Sequence, residues 1–414
     1  MEVTLAVVGT MAGVIGCYLA WRALDDGAVK KSQEEFCDVR KTLRTNLGEL
    51  SRISADMHIA SNPALQRVEN SDLLSDATMQ PVTPVPLNKV QIMWDNSNPP
   101  EDSNLKRLSK HVLPKQTRWK RFASYSDALG TLMRPTLFEN RLTFRLIKTD
   151  WNNPAGPELT FGKGQYFDVI DQGESLTHEL ALAHRNSPTA TPGWKRAPLR
   201  ARLKSDPLSL TNRAVLPSIG TLTIRNTPDG KSTFFLLHRS AGKVAIGEDL
   251  LHVIPGGMFQ PASISPLSYR NDFSIWRNIM REYNEEMLGA PEATGENGIE
   301  VDYDHPPYSD FERALADGGL RVWSFGMGLE PINLVPCLLT VAVFNSATFD
   351  QLFSSIVSEN DEGKLIASSH GTGIKGLPLE EEEVQHILNN SNVAPIAAAL
   401  LHLALKYRNL LLEQ

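Results

Sequence analysis

Nineteen consecutive residues, Val3 to Trp21, carry no charge and are mostly Val, Ala, Leu, Ile and Gly. At about 1.5 Å of helical rise per residue, such a run just crosses a hydrocarbon core of about 30 Å. No other feature limits the chain so strongly. Tyr18 and Trp21 stand at one end, where amphipathic rings favour the headgroup level. Arg22, Lys30 and Lys31 follow the run, and only Glu2 precedes it. The positive-inside rule then predicts a single-pass inner-membrane protein with its N-terminus outside and its body in the cytoplasm. A cleaved leader would need a basic stretch ahead of the apolar one, which the sequence lacks. The expectation is a transmembrane anchor over 1–24, with membrane contact through residues 3–21.

From 25 to 60 the pattern changes. Phe36, Val39, Leu43, Leu47, Leu50, Ile53 and Met57 recur at steps of three and four among charged residues, which predicts an amphipathic stalk helix. Its apolar stripe fits either a coiled coil, giving a homo-oligomer, or packing against the chain's own domain. Residues 61–88, with Pro63, Pro81, Pro84 and Pro86, read as a linker. A basic stretch follows: Lys106, Arg107, Lys110, Lys115, Arg118, Lys120 and Arg121, with Trp119 and Phe122 among them. Such residues suit anionic lipid or phosphate, nucleic acid, or a plain solvated face. The chain as a whole has 41 Lys and Arg against 48 Asp and Glu, a net charge of -7, so nucleic acid is not expected as a partner. Its 3 cysteines form neither a disulfide framework nor a zinc motif.

Arg141 to Ile147 alternates as a strand does, and Gly162-Lys163-Gly164 between apolar segments predicts a hairpin turn. Thr221 to Arg225 and Thr233 to Arg239 flank a turn at Asn226 to Gly230, and Leu250 to Ile254 is a further strand closing on Pro255-Gly256-Gly257. A helix fits Phe273 to Leu288, with Asp272 as N-cap and Gly289 as stop. Glu282, Glu285 and Glu286 then share one helical arc beside the stripe Trp276, Ile279, Met280, Tyr283 and Met287. Stacked carboxylates repel, and a hard divalent cation would relieve that repulsion. A solvated acidic face is the plainer reading of the same residues. Near the C-terminus, Val335 to Phe344 reads as a strand. Glu380 to Glu383 open a helix running through Leu388, and Pro395 starts a last helix with Ile396, Leu400, Leu403, Ala404 and Tyr407 on its inner face.

Arg281-Glu282-Tyr283-Asn284-Glu285-Glu286 resembles the catalytic half of the Nudix box, Gly-x5-Glu-x7-Arg-Glu-U-x-Glu-Glu-x-Gly-U with U apolar, and Pro255-Gly256-Gly257 resembles its opening. The resemblance implies that Glu282, Glu285 and Glu286 ligate Mg or Mn and that Arg281 orients a carboxylate. It further implies ligand contacts at Gly256, Gly257 and Phe259, and hydrolysis of nucleoside diphosphate derivatives by metal-activated water. Three departures stand out. Gly257 lies 24 positions before Arg281, about ten more than the box has, the excess falling roughly at Ala262 to Asn271; the early glutamate's place holds Phe273; and Gly289 comes one residue late.

The stretch Leu137 to Tyr407 is similar to the SMODS-associated Nudix domains of bacterial antiphage systems. The similarity rests on the segments 159–168 (Leu-Thr-Phe-Gly-Lys-Gly-Gln-Tyr-Phe-Asp), His252 to Pro261 and Asp272 to Asn278. It implies a domain that binds a nucleotide or cyclic-oligonucleotide signal and acts through its anchor. The expected fold is α+β: a Nudix-like α/β/α sandwich over 216–414 with an N-terminal extension over 89–215, behind the anchor and stalk. Two functions follow from the resemblance, a membrane-anchored sensor or effector and a tethered Mg-dependent pyrophosphohydrolase.

Overall fold

The computed structural model describes residues 2–98, 103–135, 138–187, 193–211, 213–239, 250–263, 265–291, 300–359, 363–366, 368–369 and 374–413, with side chains excepted at 2–25, 44, 103–104, 368–369 and 374–375. The chain opens with helix α1 (Glu2–Ile59), interrupted by non-helical angles at Asn46 (φ -125°, ψ 18°). Short strands β1 (Gln66–Arg67), β2 (Leu74–Ser75) and β3 (Val85–Pro86) lead to β4 (Gln91–Trp94). Helices α2 (Ser103–Ser109) and α3 (Tyr125–Leu132) precede strands β5 (Leu142–Asp150) and β6 (Glu158–Gln165). Then come α4 (Tyr166–Val169), α5 (Ser175–Arg185) and α6 (Pro198–Ala201). Strands β7 (Ser218–Asn226), β8 (Thr233–Phe234), β9 (Leu236–Arg239), β10 (Leu251–Val253) and β11 (Gly256–Met258) are followed by α7 (Pro266–Asn271), α8 (Ile275–Glu282) and α9 (Tyr308–Ala316). The remainder holds β12 (Leu320–Leu329), β13 (Pro336–Asn345), α10 (Ser346–Leu352), β14 (Gly363–Ile366), β15 (Ser368–Ser369), β16 (Ile374–Lys375), β17 (Leu377–Pro378), α11 (Glu381–Asn390), α12 (Pro395–Lys406) and α13 (Arg408–Leu412).

The main sheet runs β1-β2-β12-β13-β7-β8-β17, with β11 added to β7 and β3 to β12. Its centre is the parallel pair β13–β7, from Cys337↔Ser218 to Asn345↔Asn226. Alternation along these strands sorts side chains onto two faces. Leu338, Ala342, Phe344 and Ile219 join Ile279, Met280, Tyr283, Phe311 and Phe349 on one side. Leu339, Val341, Val343, Leu222 and Ile224 join Val384, Ile387, Ile396, Leu400 and Leu403 on the other. Helices therefore cover both faces, a three-layer α+β arrangement. Leu400 and Leu401 of α12 are fully buried, each stabilising by about 1.5–3 kcal/mol. A second sheet, β4-β6-β5, pairs β4 with β6 in parallel and β5 with β6 antiparallel. Its Phe144, Leu146, Leu159 and Phe161 enter the first of those cores.

Three expectations change here. Gly162 and Gly164 make no hairpin turn; they lie inside β6, paired with Arg145 and Thr143. A Cβ at Gly162 would stand 2.7 Å from Asp95 O and 2.8 Å from Ile147 Cδ1, so the glycines answer crowding from distant segments. The stretch 61–88 is woven into the sheet, β2 pairing with β12 at Leu74↔Leu329 and β3 at Val85↔Ser324 and Pro86↔Trp323. Asp272 is no N-cap. That role falls to Ser274, whose side chain accepts from Arg277 N, while Asp272 closes α7.

α1 lies against the body over its second half. Phe36 packs with Val112, Leu113, Phe122 and Tyr125, and Val39, Leu43, Leu50 and Met57 pack with Leu180, Ala181 and Ile332. Of the two uses of the stripe, packing on its own domain describes these residues. Polar groups fix the contact. The buried Arg40 Nη1 donates to Glu174 Oε2 (2.5 Å) and Tyr125 OH (2.9 Å). Ser54 Oγ donates to Pro331 O (2.5 Å) and accepts from the fully buried Arg200 (2.6 Å). The backbone of 3–21 is helical, and its side chains lie outside the described residues. Among the described residues no helix is long and apolar enough to cross a membrane.

Candidate functional site

β11 runs antiparallel to β7, with Gly256 opposite Gly220 and Gly257 opposite Ile219. Helix α8 leans on it from the side. Between them, the extra residues after Gly257 fold into a loop with its own short helix, α7, capped by Ser265. The buried Asp272 ties the loop's ends, accepting from Ala262 N (2.7 Å) and Tyr303 OH (2.7 Å). Tyr269 OH donates to Thr143 O (3.2 Å), pinning α7 to β5. The insertion is closed at its base, so Gly257 still reaches the end of α8.

That contact is close. A Cβ on Gly257 would fall within the Glu282 carboxylate. Asn278, fully buried, donates to Glu282 Oε1 (3.4 Å) from one turn earlier. Glu286, also buried, accepts from Gly256 N through Oε2 (3.2 Å). Glu282 and Glu286 thus meet adjacent glycines, Gly257 and Gly256 in turn. Glu285 is half-buried, and its charge contributes, after burial, to raising the Tyr308 phenol. After Glu282 the helix widens into a π turn over Tyr283–Met287, where i→i+5 bonding takes one residue more per turn than α bonding does. Residues four apart stay on one side there, and those three apart separate.

Arg281 is buried and donates to Gln260 O (2.5 Å) and Asn278 Oδ1 (2.9 Å). Those bonds position the loop after β11, where the resemblance implied a carboxylate partner. The Phe259 ring is 1% exposed, packed 4.6 Å from Phe144 and 5.0 Å from Phe161, centroid to centroid. His252 abuts Gly256. Its pKa is lowered to about 3 by burial and then by the Arg239 charge. The neutral ring donates Nδ1–H to Val253 O (2.9 Å), since a carbonyl can only accept.

The implied divalent ion can be tested against this geometry. Among the described residues no group of three or more His, Cys, Asp or Glu side chains is placed to hold a metal ion. Asn278, Gln260 and Tyr308 belong to the site and were not singled out from sequence. Asn278 was open to being found, standing three and four residues before Arg281 and Glu282 on one helix.

No family model matches the chain, and no curated protein matches it. Among solved structures it is similar to RenU, a Nudix hydrolase from M. smegmatis, at 11% identity over 47% of this chain and 84% of that one, with a TM-score of 0.20. A likeness of that size adds nothing to the geometry above.

Proposed function

We propose that the chain is a membrane-tethered sensor or effector whose Nudix-like domain binds a nucleotide or cyclic-oligonucleotide signal, in an antiphage setting of the kind its sequence resemblance implies. The apolar run 3–21 is the tether. One observation carries the choice of binding over hydrolysis. The helix that carries the box's acidic residues widens into a π turn after Glu282, and Glu286 accepts from the Gly256 N–H. A carboxylate held by backbone serves architecture better than it serves activation of water.

The test uses the full chain in detergent, with and without Mg²⁺. Melting shifts are recorded against cyclic oligonucleotides and nucleoside diphosphate derivatives, and each hit is assayed for turnover. The expected result is a shift without turnover that survives in the Glu285→Gln, Glu286→Gln variant. Phosphate-bond cleavage that needs Mg²⁺ and vanishes in that variant would instead establish a tethered pyrophosphohydrolase.

A further inference from the structure

From Leu105 to Arg121 the chain carries seven cations and no acid, although its overall charge is -7. Lys106, Arg107, Lys110, Lys120 and Arg121 are exposed. Among them Trp119 is 82% exposed, and among the described residues it is the one aromatic ring so fully presented to solvent. The Arg118 guanidinium lies 4.3 Å from its ring centroid. A cation stacked on an open indole, within a run of basic residues, is the chemistry of a lipid headgroup layer, where amphipathic rings and basic side chains both gain.

Position adds what composition alone could not. The segment is fastened to α1 just beyond the apolar run. Lys115 N donates to Ser32 Oγ (3.0 Å), and Gln33 Nε2 donates to Lys115 O (2.9 Å). Phe36 seals the joint with Val112, Leu113 and Phe122. Ser32 is eleven residues past Trp21, about 16 Å along a helix. A headgroup layer extends about 5–7 Å beyond the hydrocarbon, and charges act over a further screening length of about 8 Å. Lys30 and Lys31, both exposed on α1, lie in that interval; Lys30 is loosely paired with Glu34 at 3.8 Å. Among the described residues Asp26, Glu34, Glu35 and Asp38 of α1 and Asp127 are exposed as well; Lys30, Lys31 and the five exposed cations of the basic run outnumber them.

We propose that the segment 105–121 is a second membrane contact, a basic face with Trp119 at its tip that docks on anionic lipid and holds the body close to the bilayer. This rests on the reading of 3–21 as a tether, and the test separates the two. The full chain is mixed with vesicles of phosphatidylcholine alone, or with about 30 mol % phosphatidylserine, each bearing brominated acyl chains. Flotation with neutral vesicles reports the tether. The fluorescence difference between the protein and its Trp119→Phe variant reports the docking.

The expected result is flotation with both vesicles and Trp119 quenching at least about twofold stronger on the anionic ones. High salt and the Lys110→Glu, Lys120→Glu variant, both substitutions at exposed positions, should return quenching to the neutral level. Flotation with equal quenching on both vesicles would overturn the docking and leave the tether standing. Failure to float would remove both. Trp119 quenching by single-stranded nucleic acid in preference to anionic vesicles would assign the face to a different partner and overturn the proposal.

Discussion

Gly257 and Gly326 both lack room for a side chain, and the neighbours that exclude it differ in kind. At Gly257 the obstacle is the far end of the Glu282 side chain, which can swing aside. At Gly326 the φ is +87° and the obstacle is backbone, Met79 O at 2.6 Å, where β12 bulges between Ser324 and Met327. Gly257→Ala should therefore displace Glu282 and alter ligand response while lowering stability by less than about 1 kcal/mol. Gly326→Ala should lower it by about 1–3 kcal/mol or more. Urea unfolding of the two variants checks the contrast; equal losses would contradict it.

Histidines set a second residue-level expectation. Burial first, and neighbouring cations next, lower His58, His178 and His252 to about 3 from an ordinary 6.5. The unfolded chain takes up protons at these sites well before the folded one does, so their contribution is intact above pH 6.5 and is lost as the pH falls toward about 3. His111 has the opposite sign. Its hydrogen bond to Glu179, foremost, raises it, so its contribution is greatest in acid and fades as the pH rises. His402 is lowered as well, by burial first, so four histidines are lowered against one raised; Glu330, pushed up to about 8 by burial, acts in the same direction as His111. The urea midpoint should fall below pH 6.5, and a His58→Phe, His178→Phe variant should show a shallower fall, whatever it does to stability at neutral pH.

At the scale of elements, α1 is joined to the residue that caps the start of α5 by a buried ion pair. Arg40 is 5% and Glu174 1% exposed. Arg40→Met strands the carboxylate and should destabilise by about 3–5 kcal/mol, whereas Arg40→Met with Glu174→Met should recover much of that loss. Additive effects in the double-mutant cycle would contradict the pairing. Elements also show what could be read from sequence. β7, β10, β13, α11 and α12 follow from alternation, helical periodicity, Pro395 and the acidic first turn, all properties of neighbouring residues. The π turn was present in the sequence only as Gly289 arriving one position late. The extra residue is absorbed where bonding widens, and Gly289 closes the turn at φ +71°. The arc drawn for Glu282, Glu285 and Glu286 assumed unbroken α geometry, and that assumption failed.

The molecule as a whole joins segments that sequence reading had separated. β12 takes β13 on one edge and the two-residue strands β2 and β3 on the other. Strands of two residues have no periodicity to display, which is why 61–88 read as a linker. Gly162 and Gly164 misled for a related reason, since the atoms that exclude their side chains come from Asp95, Ile147 and Leu216, none of them local. Because the N-terminal segments complete a sheet centred on C-terminal strands, the described body should unfold as one unit. Far-UV and near-UV circular dichroism should trace coincident urea transitions. Two resolved transitions would mean that the stretch before β4 detaches on its own.

The joints between α1 and the body have a mechanical reading. The helix is keyed at Ser32 and Gln33, at Arg40, and at Ser54, so it can neither slide nor pivot without breaking polar contacts at several depths. Beyond Ser32 it continues as helical backbone to Glu2, an arm of about 45 Å. A body that rolled by about 10° would carry the far end of that arm sideways by about 8 Å if the arm is stiff. Any rotation of the body would then reach the far end of the rod as displacement, with the arm serving as a gear.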